Sequence, residues 1–276
     1  MGIRIVSDSS SDLLELDGVD YRTVPLKVMF GSREYVDELG TDVERMMFDL
    51  QGETGPSTTS CPNSQEWLDA FEGADRIFAV TISSGLSASY DSALLAKRLY
   101  EEANPDARVH VFDSKATGPV LRLIIEYLRE GILAGKDYEQ IEAETIERQK
   151  GIRILYSLKS LNNLARNGRV NHHVARLAGV LNIHVIGHAS EFGTVELLHK
   201  CKGEKHALRT LVKEMEERGF YGGRVVIDHC LNVSAAMKLR ELILKKFPTS
   251  DVVIESCGVL CSYYADLGGL IVGYEA

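Results

Sequence analysis

Short β-rich apolar runs alternate with longer stretches of helical periodicity through the first half of the chain. Ile3–Val6 reads as a strand opening into the polar loop Ser7–Ser11, and Val24–Phe30 as a second strand turned by Gly31-Ser32. Thr41, with Glu44 three residues on, forms a capping box, so a helix is expected to run to about Leu50. Gly52–Pro62 is a Gly/Ser/Thr/Pro loop, after which Asn63 or Ser64 caps a short helix. Ile77–Thr81 is a strand, Ser87–Ala103 an amphipathic helix, Val109–Phe112 another strand, and helices fill Val120–Gln149. Strand–loop–helix alternation of this kind implies a mostly parallel sheet with helices on both faces.

The second half changes character. Strand Ile152–Tyr156 leads into a helix ending at Asn167, where Gly168 is the stop. Ile183–His188 and Val195–His199 flank Glu191-Phe192-Gly193 as an antiparallel hairpin. A helix over Glu204–Glu217, a strand Val225–Ile227, a helix Ala235–Phe247 and two final strands complete a mixed sheet with helices on one side. The expected fold class is therefore α/β in two domains. Residues 1–155 form an α/β/α domain with a mostly parallel sheet, and residues 156–276 a second α/β domain with a mixed sheet.

Composition narrows the function. A net charge of −9, with no basic run longer than two residues, argues against nucleic acid and against an anionic membrane surface as partner. No stretch approaches the roughly 18 apolar residues that a membrane span needs. The opening MGIRIVSDSSSD reads as too brief for a signal peptide, so a cytoplasmic location is expected. Five widely spaced cysteines read as small buried hydrophobes in a reducing compartment rather than as a disulfide framework.

In an open α/β sheet, ligands bind beyond the carboxyl ends of the strands. Ser7–Ser11, Ile82–Ser89 and Asp113–Thr117 all follow strands, so they should gather at one edge. Gly85 allows close backbone approach and Ser87 caps the following helix, whose N-terminus favours an anion. Each loop taken singly reads as capping chemistry; together they describe an oxygen-rich anion pocket. Gly52–Thr59 lacks the lysine and spacing of a P-loop, and Gly85–Ser89 lacks the second glycine of a nucleophile elbow. Histidines occur at His172-His173, His184, His188, His199, His206 and His229; His184 and His188 fall on a strand, about 13 Å apart, so no metal is expected. Arg166, Gly168 and Arg169 form a basic turn suited to a phosphate or a protein partner.

Together these motifs resemble the DegV proteins, the fatty-acid-binding subunits of bacterial fatty-acid kinase systems. The resemblance rests on Asp8–Leu13, Pro25-Leu26, Thr58–Ser64, Ile82–Tyr90 with Ala93, Asp113-Ser114-Lys115, and Leu161 through Asn167–Val170. It implies an acyl chain buried between or beneath two α/β domains, with the carboxylate on Thr59, Ser87, the Ala88 amide and Ser60. One carboxylate needs only a few hydrogen bonds, which accounts for the missing lysine. Burying the tail of a long-chain acid at about 0.8 kcal/mol per CH₂ gives a gross gain near ~12 kcal/mol, partly offset by association costs. A carrier of this kind needs no cofactor, no metal and no catalytic machinery of its own.

Two departures from the family pattern stand out. Many members carry a histidine near the carboxylate in a C-terminal Gly-Pro-Gly segment; here Cys261–Gly269 holds neither histidine nor proline. Tyr263 or Tyr264 is expected to supply the contact, and strand alternation counted from Gly258 favours Tyr263. Lys202 stands where many members place an arginine for the kinase contact, and Arg169 is expected to serve the same partner. The alternatives are a small-molecule kinase or transferase-like enzyme, or a lipid sensor without a kinase. The enzyme reading lacks any nucleotide-binding motif.

Overall fold

The computed structural model describes residues 2–171 and 182–276, so the His172-His173 pair lies outside the described residues. Among the described residues three sheets are present: a four-stranded sheet ordered β2-β1-β6-β7, a six-stranded sheet ordered β10-β9-β8-β13-β11-β12, and a small sheet ordered β4-β3-β5. The first is built from β1 (Ile3–Asp8), β2 (Asp20–Val24), β6 (Arg76–Thr81) and β7 (Arg108–Asp113). All its pairings are parallel.

Strand alternation sorts the apolar residues of this sheet onto two faces. Val6, Ile77, Ala79, Val109 and Val111 pack with Trp67 and Phe71 of α2 (Ser64–Phe71) and with Ala93 and Ala96 of α3 (Ser89–Ala103). Ile5, Phe78, Val80 and Phe112 point the other way. There they meet α4 (Pro119–Leu133), beside which α5 (Tyr138–Gln149) lies.

The six-stranded sheet is mixed. It comprises β8 (Ile152–Leu158), β9 (Ile183–Ala189), β10 (Val195–Lys202), β11 (Arg224–His229), β12 (Asp251–Ser256) and β13 (Leu270–Glu275). β11 and β12 pair in parallel, and its other pairings are antiparallel. α7 (Glu204–Glu217) and α8 (Val233–Lys246) cover one face through Leu208, Leu211, Met215, Leu239 and Ile243. The opposite face, carrying Ile154, Tyr156, Leu158, Val226 and Ile271, shares one core with α4 and the N-terminal sheet. α4 is thus packed between two sheets, and one hydrophobic cluster spans both halves of the chain. The boundary expected at residue 155 falls inside β8.

Four local readings change. Val24–Phe30 is not one strand, because Pro25 offers no N–H to a ladder; the chain leaves the parallel sheet at Val24 and β3 (Lys27–Phe30) joins another. β3 pairs with β4 (Arg33–Val36) and with β5 (Ser57–Ser60), a strand inside the segment read as loop. The helix after Gly40, α1 (Val43–Gln51), is capped by Asp42, which accepts from the Arg45 amide at 2.8 Å, while the Thr41 hydroxyl donates to the Val36 carbonyl.

The fourth change bears on function. Between β12 and β13 the chain forms α9 (Val259–Ala265), so Tyr263 and Tyr264 lie on a helix rather than on a strand. Val-Leu-Cys-Ser-Tyr-Tyr-Ala is β-prone by composition. Its helix is started by distant carboxylates: Asp12 accepts from the Gly258 amide at 2.8 Å, and Asp37 from Val259 and Leu260 at 2.8 and 3.2 Å. Anionic side chains on first-turn amides stabilise a helix N-terminus.

Candidate functional site

A cavity of about 190 Å³ lies within the core shared by the two sheets. Its walls are mainly apolar: Leu26, Ile82, Leu86, Ile154, Leu158, Leu164, Val195, Leu260, Ala265 and Ile271, with the Tyr156 ring among them. The polar lining consists of Thr59, Ser87, Thr117, Arg169 and Tyr264, alongside Ala88 and the thiols Cys61 and Cys261. Strand β5 presents Thr59, the foot of α3 presents Ser87 and Ala88, and α9 presents Tyr264.

Tyr264 and Thr59 meet through a 2.8 Å hydrogen bond between their hydroxyls. Burial pushes the Tyr264 phenol above its ordinary pKa although Arg169 nearby opposes the shift, so it stays a neutral hydroxyl at physiological pH. Ser87 Oγ accepts from the Ser89 amide at 3.2 Å, and its own proton remains to be donated. Arg169 bends inward: its Nε donates to the Leu86 carbonyl at 2.9 Å and one terminal nitrogen to the Asn167 carbonyl at 2.7 Å. Its guanidinium carbon stands 6.0 Å from the Tyr264 ring centroid. Among the described residues it enters no ion pair with a carboxylate. A half-buried cation, two hydroxyls in contact and a helix N-terminus therefore surround one region of an apolar cavity. Such a set can hold one small anion and leave a hydrocarbon in the remainder.

The expected site residues divide. Thr59, Ser87 and Ala88 line the cavity, and so does Arg169, which the sequence pointed outward towards a partner. Ser60 and Tyr263 are not among the lining residues. Ser60 Oγ donates to the Cys61 carbonyl. Tyr263 is fully buried, with its hydroxyl 2.7 Å from Ser57 Oγ and 2.8 Å from Asn167 Nδ2. It ties β5 and the end of α6 (Asn162–Arg166) to α9. One helical step of about 100° separates the two tyrosines, and Tyr264 is the one that reaches the cavity. Lys202 is exposed on β10, away from the cavity.

Most of the hydroxyls read as an anion pocket serve the fold instead. Asp8 is buried and accepts from Ser10 Oγ, Ser89 Oγ and the Ile82 amide at 2.6, 2.7 and 2.9 Å. Ser9 Oγ accepts from the Leu26 amide, and Ser7 Oγ meets the hydroxyls of Tyr21 and Ser11. Ser83 Oγ donates to the Gly193 carbonyl, which fastens the tip of the β9–β10 hairpin to the turn below it. Gly85 is required here, since a Cβ would sit 2.5 Å from the Phe192 carbonyl oxygen. Among the described residues no group of three or more His, Cys, Asp or Glu is placed to hold a metal ion, and no helix is long and apolar enough to cross a membrane.

A family model described as an uncharacterised protein of the DegV family matches residues 2–275. A DegV domain-containing protein of Streptococcus pneumoniae R6 is 36% identical over 276 residues, covering 99% of this chain and 98% of the relative. The crystal structure of a DegV family protein from Eubacterium eligens loaded with heptadecanoic acid matches with a TM-score of 0.97 and 42% identity, over 99% of each chain. The Streptococcus pneumoniae fatty acid kinase (Fak) B3 protein loaded with linoleic acid matches with a TM-score of 0.97 and 36% identity, over 100% of this chain and 99% of that one.

Proposed function

The chain belongs to the DegV family, and from that premise we propose that it holds one long-chain fatty acid in the core cavity and presents the carboxylate to a separate kinase for acyl phosphate formation. The observation that carries this reading is the pairing of an apolar cavity with Arg169, Thr59, Tyr264 and the Ser87–Ala88 foot of α3 in its lining. The fatty acids held by the two similar structures support the same ligand class. The carboxylate accepts from the guanidinium of Arg169, from the Ser87 hydroxyl, and from whichever of the Thr59 and Tyr264 hydroxyls is not donating to the other. Arg169 is thus a ligand-binding residue rather than a partner contact. The tail leaves water for the hydrophobic walls, and this transfer is the main driving force. Lys202, exposed on β10, remains the residue for contact with the kinase. The chain itself acts as a carrier and supplies no catalytic group.

Native mass spectrometry of the purified protein, followed by denaturation, tests the proposal. The expected result is one long-chain fatty acid per chain, released on unfolding. Protein that arrives empty and takes up no long-chain acid when offered it, yet binds ATP, would move the assignment to a small-molecule kinase.

A further inference from the structure

The carboxyls of Asp12 and Asp228 face each other just behind the cavity wall. A Cβ on Gly118 would sit 3.0 Å from Asp228 Oδ2 and 3.5 Å from Asp12 Oδ2, so both oxygens press on the backbone of one turn. Thr117, the residue before that glycine, lines the cavity, and its hydroxyl stands 3.4 Å from the Cys261 thiol, another lining group. Among the described residues no N–H or O–H donor reaches Asp12 Oδ2 or either oxygen of Asp228, although all three atoms are shielded from solvent. A proton carried by one carboxyl is then the donor that the other lacks.

The pair joins a rigid element to a movable one. Asp228 is fixed in β11, which is hydrogen-bonded to β12 on one side and to β13 on the other. Asp12 sits in the loop after β1, and its Oδ1 accepts from the Gly258 amide at 2.8 Å, at the N-terminus of α9. That helix supplies Leu260, Cys261, Tyr264 and Ala265 to the cavity lining. Two buried carboxylates in contact repel when both ionise, and the member able to give way is Asp12, together with the helix it holds.

We propose that Asp12 and Asp228 form a proton latch on α9: one shared proton keeps this wall of the cavity closed, and its loss speeds release of the bound acyl chain. The inference rests on the fatty-acid reading above. The surroundings leave the pair in charge of the titration. Arg122 of α4 favours ionisation of Asp228 but is engaged by Glu255 at 2.9 Å, and Glu255 itself opposes it. Asp37, with Asp8 beyond it, adds negative charge on the Asp12 side. Burial pushes the thiols of Cys230, Cys257 and Cys261 upward, so they stay neutral. His229 points to the opposite face of β11, and burial lowers its pKa. The closed wall keeps a proton that the open wall releases. Its advantage is therefore full below an aspartate's ordinary 3.8, shrinks as pH rises, and is gone above about 7, where burial holds Asp228.

The test loads wild type, Asp228→Asn and Asp12→Asn with radiolabelled palmitic acid and follows its release to excess serum albumin at pH values between those limits and above them. One linked proton changes an equilibrium by up to about tenfold per pH unit. Wild-type release should quicken by about tenfold or more as pH rises to about 7 and then level off. Asp228→Asn should release slowly across the range, with most of that dependence gone. Asp12→Asn, whose Oδ1 can still accept from Gly258, should do the same and keeps the test valid if the first variant fails to fold. Asp37 and the acid's own carboxylate are present in all three proteins, so an equal pH dependence in each would overturn the latch while leaving the carrier reading intact. A flat wild-type profile would overturn it as well. Uptake of no acid by wild type at any pH would overturn the carrier reading and the latch with it.

Discussion

Arg169→Ala removes the one cation among the described residues that line the cavity. Two of the five N–H donors of the guanidinium are held by the Leu86 and Asn167 carbonyls, which fixes the group while, among the described residues, three donors remain for a ligand. A hydrogen bond to a charged group contributes about 1.5–3 kcal/mol. The full Coulomb attraction of a pair at about 4 Å would be near ~4 kcal/mol at an effective dielectric of 20, and partial solvent access reduces it. The loss should therefore lie at about 1.5–3 kcal/mol, a factor of about 10 to 150 in Kd. Equilibrium dialysis with a radiolabelled long-chain acid measures it directly. Arg169→Lys keeps the charge but not the planar fork gripped by two carbonyls, so its affinity should fall between the two. An alanine variant that binds the acid within about twofold of wild type, a change of only about 0.4 kcal/mol, would refute the assignment and return Arg169 to the role of a partner contact.

The two tyrosines should separate cleanly: Tyr264→Phe weakens fatty-acid binding, whereas Tyr263→Phe leaves binding in place and lowers Tm, because it strands Ser57 and Asn167 at a cost of about 1–3 kcal/mol. Thr59→Val and Ser87→Ala should each weaken retention, read as faster transfer of the acid to lipid vesicles. Lys202→Ala should leave binding unchanged and slow acyl phosphate formation when a cognate kinase and ATP are supplied. Stability should also depend on pH through Asp12 and Asp228, whose buried carboxyls lie against each other beneath Gly118. Burial holds Asp228 up at about 7, with Glu255 raising it and Arg122 opposing, and burial with the neighbouring Asp228 and Asp37 holds Asp12 well above its ordinary value. The folded state keeps a proton that the unfolded chain releases, so this contribution is fully present below an aspartate's ordinary 3.8 and is lost as pH rises through about 7. Asp228→Asn, neutral throughout, should gain in Tm over wild type across that range; parallel Tm profiles would show that the pair does not titrate there.

The parts of the fold legible in the sequence were those set by local periodicity. β1, β6 and β7 with the helices after them, the hairpin β9–β10 and the helix Glu204–Glu217 carry their own apolar repeat. What was missed depends on partners far away in the chain. β5 is a polar tetrapeptide that becomes a strand because β3 pairs with it. α9 is helical because Asp12 and Asp37 cap it across more than 200 residues. That capping decides which tyrosine lines the cavity, Tyr264 rather than the Tyr263 that a strand count from Gly258 favours. Arg169 looked like a solvated turn until its contact with Leu86 drew it inward. The hydroxyl loops were placed correctly beyond the strand ends. No rule of composition, however, tells which serines Asp8 will occupy and which, like Ser87, remain open to a ligand.

A crystal structure of the protein loaded with a long-chain fatty acid tests the central claim most directly. The account predicts the carboxylate within hydrogen-bonding distance of Thr59, Tyr264, Ser87 or the Arg169 guanidinium, with the tail running along β8 towards Ile154. A carboxylate at the Ile154 end, or an acyl chain seated outside this cavity, would contradict it.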